Sequence, residues 1–406
     1  MINHNFDIVI VGAGPAGLAA AAAASASESS IAVVDENPDV GGQIWRASIS
    51  TRSPAASELM SRVDDRVKFF NSTQVFDAVE STLVCERERE RLELGFSRLI
   101  IATGARELFL PFPGWTLPGI FGAGGLQALV KSGFDVAGKR ILIAGTGPLL
   151  LAVAEYLKTK GAKIVAIIEQ ARASSIRKFA RSLWQSPDKL TQAAALRARL
   201  LGIPYKTDSF ISGIVDGEGE KIVQIGSREY RCDLIACGFH LVPNLELPSL
   251  LGCEIADGVV VVDKLQHTSV ATIFCAGEST GIGGVDKSLI EGEIAGLAAV
   301  SRNDEAQKLL AKWKAARAFA DRLNAAFRLR SELKSLATDD TILCRCEDVT
   351  MGAVSEFSSF REAKLQTRCG MGPCQGRVCG AAGRFILDWE LDTARPPIYP
   401  VRLENL

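Results

Sequence analysis

The sequence of 406 residues is poor in features that define several common protein classes. It has only three histidines, His4, His240 and His267, and none stands in a pattern with a nucleophile, so no histidine-assisted hydrolytic site is visible. No apolar run reaches the roughly 20 residues that a membrane-spanning helix needs, and the first residues lack the features of a secretory signal. We therefore expect a cytoplasmic protein without a transmembrane segment.

Net charge and cysteine spacing exclude further classes. The formal net charge of −1 gives no electrostatic basis for binding nucleic acid. Ten cysteines in a cytoplasmic protein are not expected to form structural disulfides, and residues 1–338 contain no CxxC motif, so thiol–disulfide chemistry is not expected either. The cysteines of this part lie in or near apolar strands and read as buried free thiols: Cys85, Cys232, Cys237, Cys253 and Cys275.

The amino terminus has the pattern of a dinucleotide-binding unit. Residues 6–11, FDIVIV, predict a buried strand, and an alanine-rich helix follows after a glycine-rich turn. In such a turn, glycines allow the bend, the approach of a pyrophosphate and close helix packing. The turn residues predicted to bind a cofactor are Gly12, Gly14, Pro15, Ala16 and Gly17. The alternative is a strand–helix turn without a ligand.

A second predicted strand, residues 31–34, ends at two acids, Asp35 and Glu36. A carboxylate at this position can accept hydrogen bonds from an adenosine ribose, and Asp35 is the better candidate.

Three later segments add candidate cofactor-binding residues at turns or strand ends: Gly42 and Gln43; Ala102, Thr103 and Gly104; and Gly277 and Glu278. Small residues at such places let the chain pass close to a bound cofactor. Glu278 could carry a carboxylate to the ribityl chain of a flavin, and the alternative is a solvated glutamate at a strand end.

Residues 140–169 repeat the dinucleotide pattern in altered form. The strand RILIAG leads into a turn with Gly145 and Gly147, and a later strand ends at Glu169, which could hold a ribose. Leu150 replaces the third glycine, and its bulk must push the helix away or enter the core, which weakens the case for NAD(P)H. The basic residues just beyond could meet phosphates or form a solvated helix face: Arg172, Arg177, Lys178 and Arg181.

The cysteines near the end of the chain have metal-ligand spacing. Cys344 and Cys346 form one close pair, and Cys369 and Cys374 form another. Four thiolates in such an arrangement are the ligand set of a [2Fe-2S] cluster or of a structural zinc ion, and the spacing leaves both open. Glycines around the second pair let backbone amides face the sulfurs. Cys379 would be a spare thiol or a substitute ligand.

These motifs together resemble a known family across essentially the whole chain. IVIVGAGPAG, IIATGA and FCAGE resemble the two-domain flavoproteins of the pyridine nucleotide-disulfide oxidoreductase type, although Glu278 stands where that family usually has Asp. CRCEDV and TRCGMGPCQGRVC resemble the bacterioferritin-associated-ferredoxin type of [2Fe-2S] module, as fused to the FAD subunit of heteromeric amino-acid dehydrogenases. That group contains the alpha subunits of opine oxidases, D-hydroxyproline and L-proline dehydrogenases and the corresponding subunit of hydrogen cyanide synthase.

The resemblance implies an FAD-dependent oxidoreductase subunit that works with other chains on CH–NH donors. A separate beta subunit, similar to D-amino-acid oxidases, would oxidise the substrate, and this chain would relay electrons through FAD and a [2Fe-2S] cluster to a quinone or respiratory acceptor. Some relatives hold ATP at the second site, so the resemblance implies ATP or another adenine nucleotide there, and it also implies FMN at a subunit interface. Peripheral membrane association and a small ferredoxin-like gamma subunit also belong to this picture. No residue of this chain is assigned a catalytic role.

The predicted fold class is α/β, with two glutathione-reductase-like Rossmann domains and a small α-helical [2Fe-2S] module. The FAD domain comprises residues 1–110 and 245–300, and the second nucleotide domain comprises 111–244. A helical linker, 301–338, and the cysteine module, 339–406, complete the chain. Two other functions stay open: a self-contained NADH-dependent flavoprotein reductase, and a scaffold with zinc at the cysteines and ADP-like ligands.

Overall fold

The computed structural model describes residues 2–45, 54–390 and 394–406, and none of the helices in these ranges is long and apolar enough to cross a membrane. The strands are β1 Ile2–Val11, β2 Ile31–Val34, β3 Lys68–Phe70, β4 Thr73–Val79, β5 Thr82–Arg87, β6 Glu90–Ile101, β7 Ala105–Leu108, β8 Ile120–Gly122, β9 Arg140–Gly145, β10 Lys163–Glu169, β11 Tyr205–Lys206, β12 Gly213–Asp216, β13 Lys221–Ile225, β14 Arg228–Cys232, β15 Leu234–Gly238, β16 His240–Pro243, β17 Ile255–Ala256, β18 Val259–Val260, β19 Ile273–Cys275, β20 Ile342–Cys344 and β21 Val349–Thr350. The α-helices are α1 Pro15–Ala24, α2 Gly42–Trp45, α3 Pro54–Ser61, α4 Ala123–Lys131, α5 Pro148–Thr159, α6 Ala173–Ser182, α7 Pro187–Arg199, α8 Glu246–Leu250, α9 Val285–Ala299, α10 Asn303–Lys308, α11 Leu310–Ala326, α12 Phe360–Thr367 and α13 Cys379–Ile386. Short 3₁₀ helices lie at Leu183–Gln185, Gly277–Thr280, Ser331–Ser335 and Leu403–Asn405.

The chain folds into two compact units, each made of separate stretches of sequence. Unit 1 contains Met1–Arg106, Pro243–Asp321 and Thr393–Leu406. Unit 2 contains Glu107–Val242 and Arg322–Asp392.

This division differs from the predicted one in the last quarter of the chain. The segment 301–338 is not a separate linker, because the boundary between the units falls within α11. The cysteine module ends earlier than position 406, because the last residues return to unit 1. There the Ile398 amide donates to the Phe76 carbonyl at 2.8 Å, and the Asn405 side chain donates to Glu86 at 2.7 Å.

Unit 1 is built on a sheet with the strand order β3-β2-β1-β6-β5-β4, in which β19 also pairs with β6. The pairs of β1 with β2 and β6, of β2 with β3 and of β19 with β6 are parallel, and β4, β5 and β6 continue as an antiparallel meander. The predicted strands at 6–11 and 31–34 are confirmed as part of β1 and as β2. Their apolar side chains are almost fully buried, as expected for parallel strands covered on both faces.

Helix α1 packs directly against helix α9 through small residues. A Cβ atom at Gly292 would overlap the Ala16 carbonyl, and one at Gly296 would overlap the Ala20 carbonyl. The alanine-rich composition of α1 therefore serves close helix packing and fixes the helix that follows the first glycine-rich turn.

Unit 2 contains the second dinucleotide-type sheet, with the order β11-β10-β9-β15-β8 and parallel pairing throughout. The predicted strands 140–145 and 163–169 are confirmed as β9 and β10. Between β11 and β15 the chain forms a small antiparallel sheet, β12-β13-β14. The cysteine module also belongs to unit 2 and contains the short hairpin β20–β21 in addition to the helices α12 and α13.

Candidate functional site

The first glycine-rich turn is as tight as the sequence predicts. Gly12 has a φ of +107°, and a Cβ there would overlap the Ala102 carbonyl oxygen. A Cβ at Gly17 would overlap the Gly12 carbonyl oxygen, so only glycine lets α1 lie this close to β1. Beside the turn, Asp35 is buried and its Oδ2 accepts from the Ala13 amide at 2.6 Å.

The two acids after β2 have different surroundings. The Oδ1 of Asp35 accepts from the Asn37 amide at 2.8 Å, which fixes its carboxylate next to the turn. Glu36 is exposed. Of the two carboxylates, the structure therefore places only Asp35 against the glycine-rich turn.

The segment 41–43 lies against the same turn. Gly42 has a φ of +59°, and a Cβ there would come within 2.9 Å of the Gly14 Cα atom. A larger residue at Gly42 would separate the two segments, whereas a Cβ at Gly14 would lie in ordinary contact at 3.8 Å from the Gly42 Cα atom. Arg46, which ends the GGQIWR motif, lies outside the described residues.

The segments 102–104 and 277–278 meet at the ends of two adjacent strands. β19 and β6 are parallel, and the Ala276 amide donates to the Ile101 carbonyl at 2.9 Å. The Thr103 hydroxyl lies 3.1 Å from the hydroxyl of Ser279. Because β1, β2, β6 and β19 are parallel, the predicted flavin-binding segments gather at one edge of the sheet, which is where open α/β sheets bind ligands.

Glu278 has a role that the sequence did not reveal. Its carboxylate accepts from the Gly283 amide at 2.8 Å and from the Gly284 amide at 2.9 Å, so it caps the start of α9. Burial raises the pKa of Glu278, and these two hydrogen bonds oppose that shift. A contact of Glu278 with a ribityl chain stays a prediction.

A buried ion pair behind this turn was missed by the sequence analysis. Lys287 and Glu291 are 4% and 2% exposed, and the Lys287 Nζ donates to Glu291 at 2.7 Å and to the Gly277 carbonyl at 3.0 Å. Glu291 also accepts from the Gly277 amide at 3.0 Å and from the Trp313 indole at 3.0 Å. The pair therefore holds both backbone groups of Gly277. Opposite charges four residues apart, at Lys287 and Glu291 of α9, were the available signal.

The second glycine-rich turn lies in unit 2, and the structure there shows whether Leu150 displaces the helix or enters the core. Gly145 has a φ of +142°, and Leu150 is fully buried in the core between the sheet and α5. The space for it exists because Gly238 lies opposite, where even a Cβ would be only 3.2 Å from the leucine side chain. The leucine is therefore absorbed into the core.

Glu169 lies at the predicted position, at the end of β10, but its carboxylate is fully buried. It accepts from the Gly147 amide at 2.7 Å, from the Thr146 hydroxyl at 2.9 Å and from the Ala171 amide at 2.7 Å. Burial raises the pKa of Glu169 against these hydrogen bonds. The Thr146 hydroxyl also lies 3.1 Å from the Phe327 carbonyl, so the segment that leads into the cysteine module closes over this carboxylate.

The cysteine module gathers its thiols in two groups. The Sγ atoms of Cys344, Cys369 and Cys379 lie within 4.8 Å of one another, and all three residues are buried. Cys346 and Cys374 form a hydrogen-bonded pair nearer the surface, with Cys346 exposed. Of the four predicted ligands, the structure thus groups two with Cys379 and pairs the other two. No signal in the spacing alone favoured Cys379.

Backbone amides face the sulfurs of this module, as its glycine content predicts. The Gly370 amide donates to the Cys344 sulfur at 3.4 Å, and the amides of residues 376–378 donate to the Cys374 sulfur. Burial raises the pKa of Cys374, but the amides and the Cys346 thiol outweigh it, and the pKa lies below its ordinary value. By contrast, the hydrogen bond with Cys369, together with burial, raises the pKa of Cys379.

Fold and site together define a flavoprotein oxidoreductase with two dinucleotide-binding units. The chain belongs to the pyridine nucleotide-disulphide oxidoreductase family, whose model matches residues 6–316, and it is an FAD-dependent oxidoreductase. Among curated proteins it is 30% identical to the A-type subunit of opine oxidase from Rhizobium meliloti (strain 1021), over 98% of this chain and 97% of that protein. It is also 30% identical to the hydrogen cyanide synthase subunit HcnB of Pseudomonas aeruginosa, over the same shares of the two chains.

A solved structure shares the fold over the full length of the chain. The L-proline dehydrogenase from P. horikoshii matches with a TM-score of 0.70 and 19% identity, covering 100% of this chain and 80% of that one. The family match and the two curated relatives confirm the relationship expected from the motifs, and this structure confirms the fold.

Proposed function

We propose that this chain is the electron-transferring subunit of a heteromeric amino-acid or opine dehydrogenase. One observation carries the proposal: similarity to the A-type subunit of an opine oxidase extends over 98% of the chain, cysteine module included. A chain that is similar throughout to one subunit of a larger enzyme is expected to work with partner chains. We propose that a D-amino-acid-oxidase-like subunit oxidises the substrate and that a quinone or respiratory acceptor receives the electrons.

The residues at the edge of the unit 1 sheet fit FAD. Small residues at the first turn leave room for a pyrophosphate next to the start of α1, and Asp35 lies where it can accept from a ribose. Lys287 and Glu291 hold the Gly277 backbone in place. A bound flavin supplies the ability to take up two electrons and to release them one at a time.

The cysteine module fits a small iron–sulfur centre. Four thiolates bind a [2Fe-2S] cluster, and amide hydrogen bonds to the sulfurs stabilise its charge. We propose Cys344, Cys346, Cys369 and Cys374 as ligands because their spacing in the sequence forms two close pairs. Cys379, whose sulfur lies within 4.8 Å of those of Cys344 and Cys369, is the substitute ligand. A zinc ion is the alternative that metal analysis excludes or establishes.

The second nucleotide site favours the function of an electron-transferring subunit over that of a self-contained NADH-dependent reductase. Leu150 fills the place where a glycine would admit close helix packing, and the Glu169 carboxylate has no free face for a ribose. We propose that this site does not pass electrons from NADH. An adenine nucleotide such as ATP at this site and FMN at a subunit interface remain proposals that rest on the resemblance.

The test is anaerobic purification of the affinity-tagged full chain from its own cells. We expect bound flavin, iron and sulfide near two per chain, no bleaching by NADH, and a co-purifying subunit that is bleached or reduced by an amino acid or opine. Rapid bleaching by NADH without a partner would overturn the proposal in favour of a self-contained reductase. Zinc with no flavin would support a scaffold.

A further inference from the structure

A helical hairpin connects the strands β10 and β11 of unit 2. It consists of α6, the 3₁₀ helix Leu183–Gln185 and α7, within residues 172–201. Neither α6 nor α7 contains a buried residue. The hairpin is anchored at its turns and end, where Leu183 and Leu200 are buried, and by Leu196, which packs against the core of unit 2. The other residues of the two helices are exposed or half-buried, so most of their surface is open to a partner.

The hairpin concentrates positive charge. It contains seven basic residues and one acid, Asp188, and thus carries a net charge of +6 in a chain whose total is −1. The basic residues are Arg172, Arg177, Lys178, Arg181, Lys189, Arg197 and Arg199.

Neighbouring acids neutralise only part of this charge. Arg199 pairs with Glu155 at 3.1 Å, and Arg172 lies 3.8 Å from Glu332. Within the ranges that the structure describes, no carboxylate lies in ion-pair distance of the cluster 177–181, which contains Arg177, Lys178 and Arg181. A patch with this much unbalanced charge attracts anionic surfaces over several ångströms.

Apolar side chains lie exposed among these charges. Trp184 and Leu201 are each 72% exposed, and Leu190 is 45% exposed. Leu190 and Ala194 are one turn apart on α7, and Leu201 follows just past the end of that helix. Three large apolar residues exposed within one short charged segment mark a candidate interaction site, and tryptophan is among the residues enriched where binding energy is concentrated.

We propose that this hairpin is the docking surface for a partner subunit that presents an acidic face with an apolar centre. The inference rests on the proposed function, since it assigns a place to the amino-acid-oxidising subunit. Charge complementarity is the argument for an acidic partner. Five of the seven basic residues are arginines, the cation that protein interfaces favour over lysine, and this composition points to a protein instead of a lipid surface.

Charge on such a surface acts mainly on the rate of association. Complementary charges steer the encounter and make it sensitive to salt, whereas a buried aromatic anchor slows dissociation. Substitutions of the charged residues are therefore expected to change the association rate, and substitutions of the apolar residues the dissociation rate.

The experiment uses the full chain and the subunit that co-purifies with it. We expect Lys178→Glu/Arg181→Glu to weaken binding about tenfold at low salt, mainly through the association rate. We expect Trp184→Ser to weaken it about tenfold through the dissociation rate. The matched control is Lys163→Glu/Arg228→Glu, which reverses two exposed charges of unit 2 outside the hairpin and is expected to leave the affinity within about twofold. Flavin content and far-UV circular dichroism must equal those of the unmodified chain.

Each result decides the proposal. Equal binding by the hairpin variants and the control overturns the docking surface while the proposed function stands. Absence of any co-purifying subunit overturns both. Binding of the unmodified chain to phosphatidylglycerol vesicles, lost in Lys178→Glu/Arg181→Glu while the subunit still binds that variant, makes the hairpin a membrane-binding surface and overturns the partner proposal.

Discussion

Five of the ten cysteines lie in buried strands or near them, and the other five belong to the cysteine module. The surroundings of each thiol decide whether it can react or bind a metal. Burial raises the pKa of Cys85 to about 12, and it also raises the pKa of Cys237 and of Cys275. Thiols of this kind stay protonated and inert at neutral pH. In the cysteine module, three amides directed at the Cys374 sulfur lower the pKa of that residue and favour its thiolate, which is the form that binds metal.

The first prediction distinguishes the ligands from the spare thiol. Cys344→Ser, Cys369→Ser and Cys374→Ser are expected to abolish most of the bound iron, because each removes one thiolate from the four. Cys379→Ser is expected to retain it, since the spacing makes Cys374 the fourth ligand, although the Cys379 sulfur lies within 4.8 Å of those of Cys344 and Cys369. Iron and sulfide analysis of anaerobically purified variants measures this, with Cys253→Ser as control. Loss of iron in Cys379→Ser but not in Cys374→Ser would make Cys379 the ligand.

The second prediction concerns the buried ion pair behind Gly277. Lys287→Met is expected to lower the free energy of unfolding by about 3–5 kcal/mol, because it leaves the Glu291 carboxylate buried without its cation. Denaturant unfolding of the purified chain measures the change. The control, Glu305→Gln, breaks the partly exposed pair with Arg302 and is expected to cost less than about 1 kcal/mol. An equal decrease in the free energy of unfolding of both variants would show that the buried pair stabilises the chain no more than the partly exposed pair does.

At the scale of elements, the contact between α1 and α9 fixes the first dinucleotide motif. Strands and helices with a strong apolar pattern were predictable, since residues 31–34 and 140–145 form strands with the expected bounds. The contact between the two helices was not predictable, because nothing in a single sequence pairs Gly292 and Gly296 with alanines some 276 positions away.

The third prediction tests this contact. Gly296→Ala is expected to lower both the melting temperature and the flavin content, because the new Cβ overlaps the Ala20 carbonyl and must move α1 with its turn. Overpacking of this kind costs about 1–3 kcal/mol. Gly125→Ala is the matched control, because it adds a Cβ to an exposed glycine of helix α4 that has room for it. A variant Gly296→Ala with full flavin content would contradict the proposed link between packing and cofactor binding.

At the scale of the whole molecule, the chain leaves unit 1 twice and returns to it each time. The last residues return to unit 1, where the Arg91 side chain donates to the carbonyl of Asn405 at 3.2 Å and the Asn405 side chain donates to Glu86. Unit 1 is therefore made of three separate stretches, and the cysteine module is inserted before its last one.

The fourth prediction follows from this path. Deletion of residues 394–406 is expected to lower the melting temperature of unit 1 by about 5 °C or more, since several partly buried hydrogen bonds are lost. Iron content is expected to remain, because Cys344 to Cys379 lie outside the deletion. Differential scanning calorimetry and iron analysis measure both. The exposed-site control is Leu403→Ser, and loss of iron with an unchanged melting temperature would assign the segment to the cysteine module instead.

The sequence by itself determined the two dinucleotide patterns and the cysteine module, because glycine turns, buried strands and thiol spacing depend on neighbours a few residues apart. It also determined the family, because those motifs occur together in one order. The tertiary structure alone decided that Leu150 enters the core opposite Gly238, that Glu169 is buried and fully hydrogen-bonded, that Cys379 joins Cys344 and that the helices α6 and α7 contain no buried residue. The physical reason is that burial and contact depend on residues distant in the chain, whose approach a local pattern does not encode.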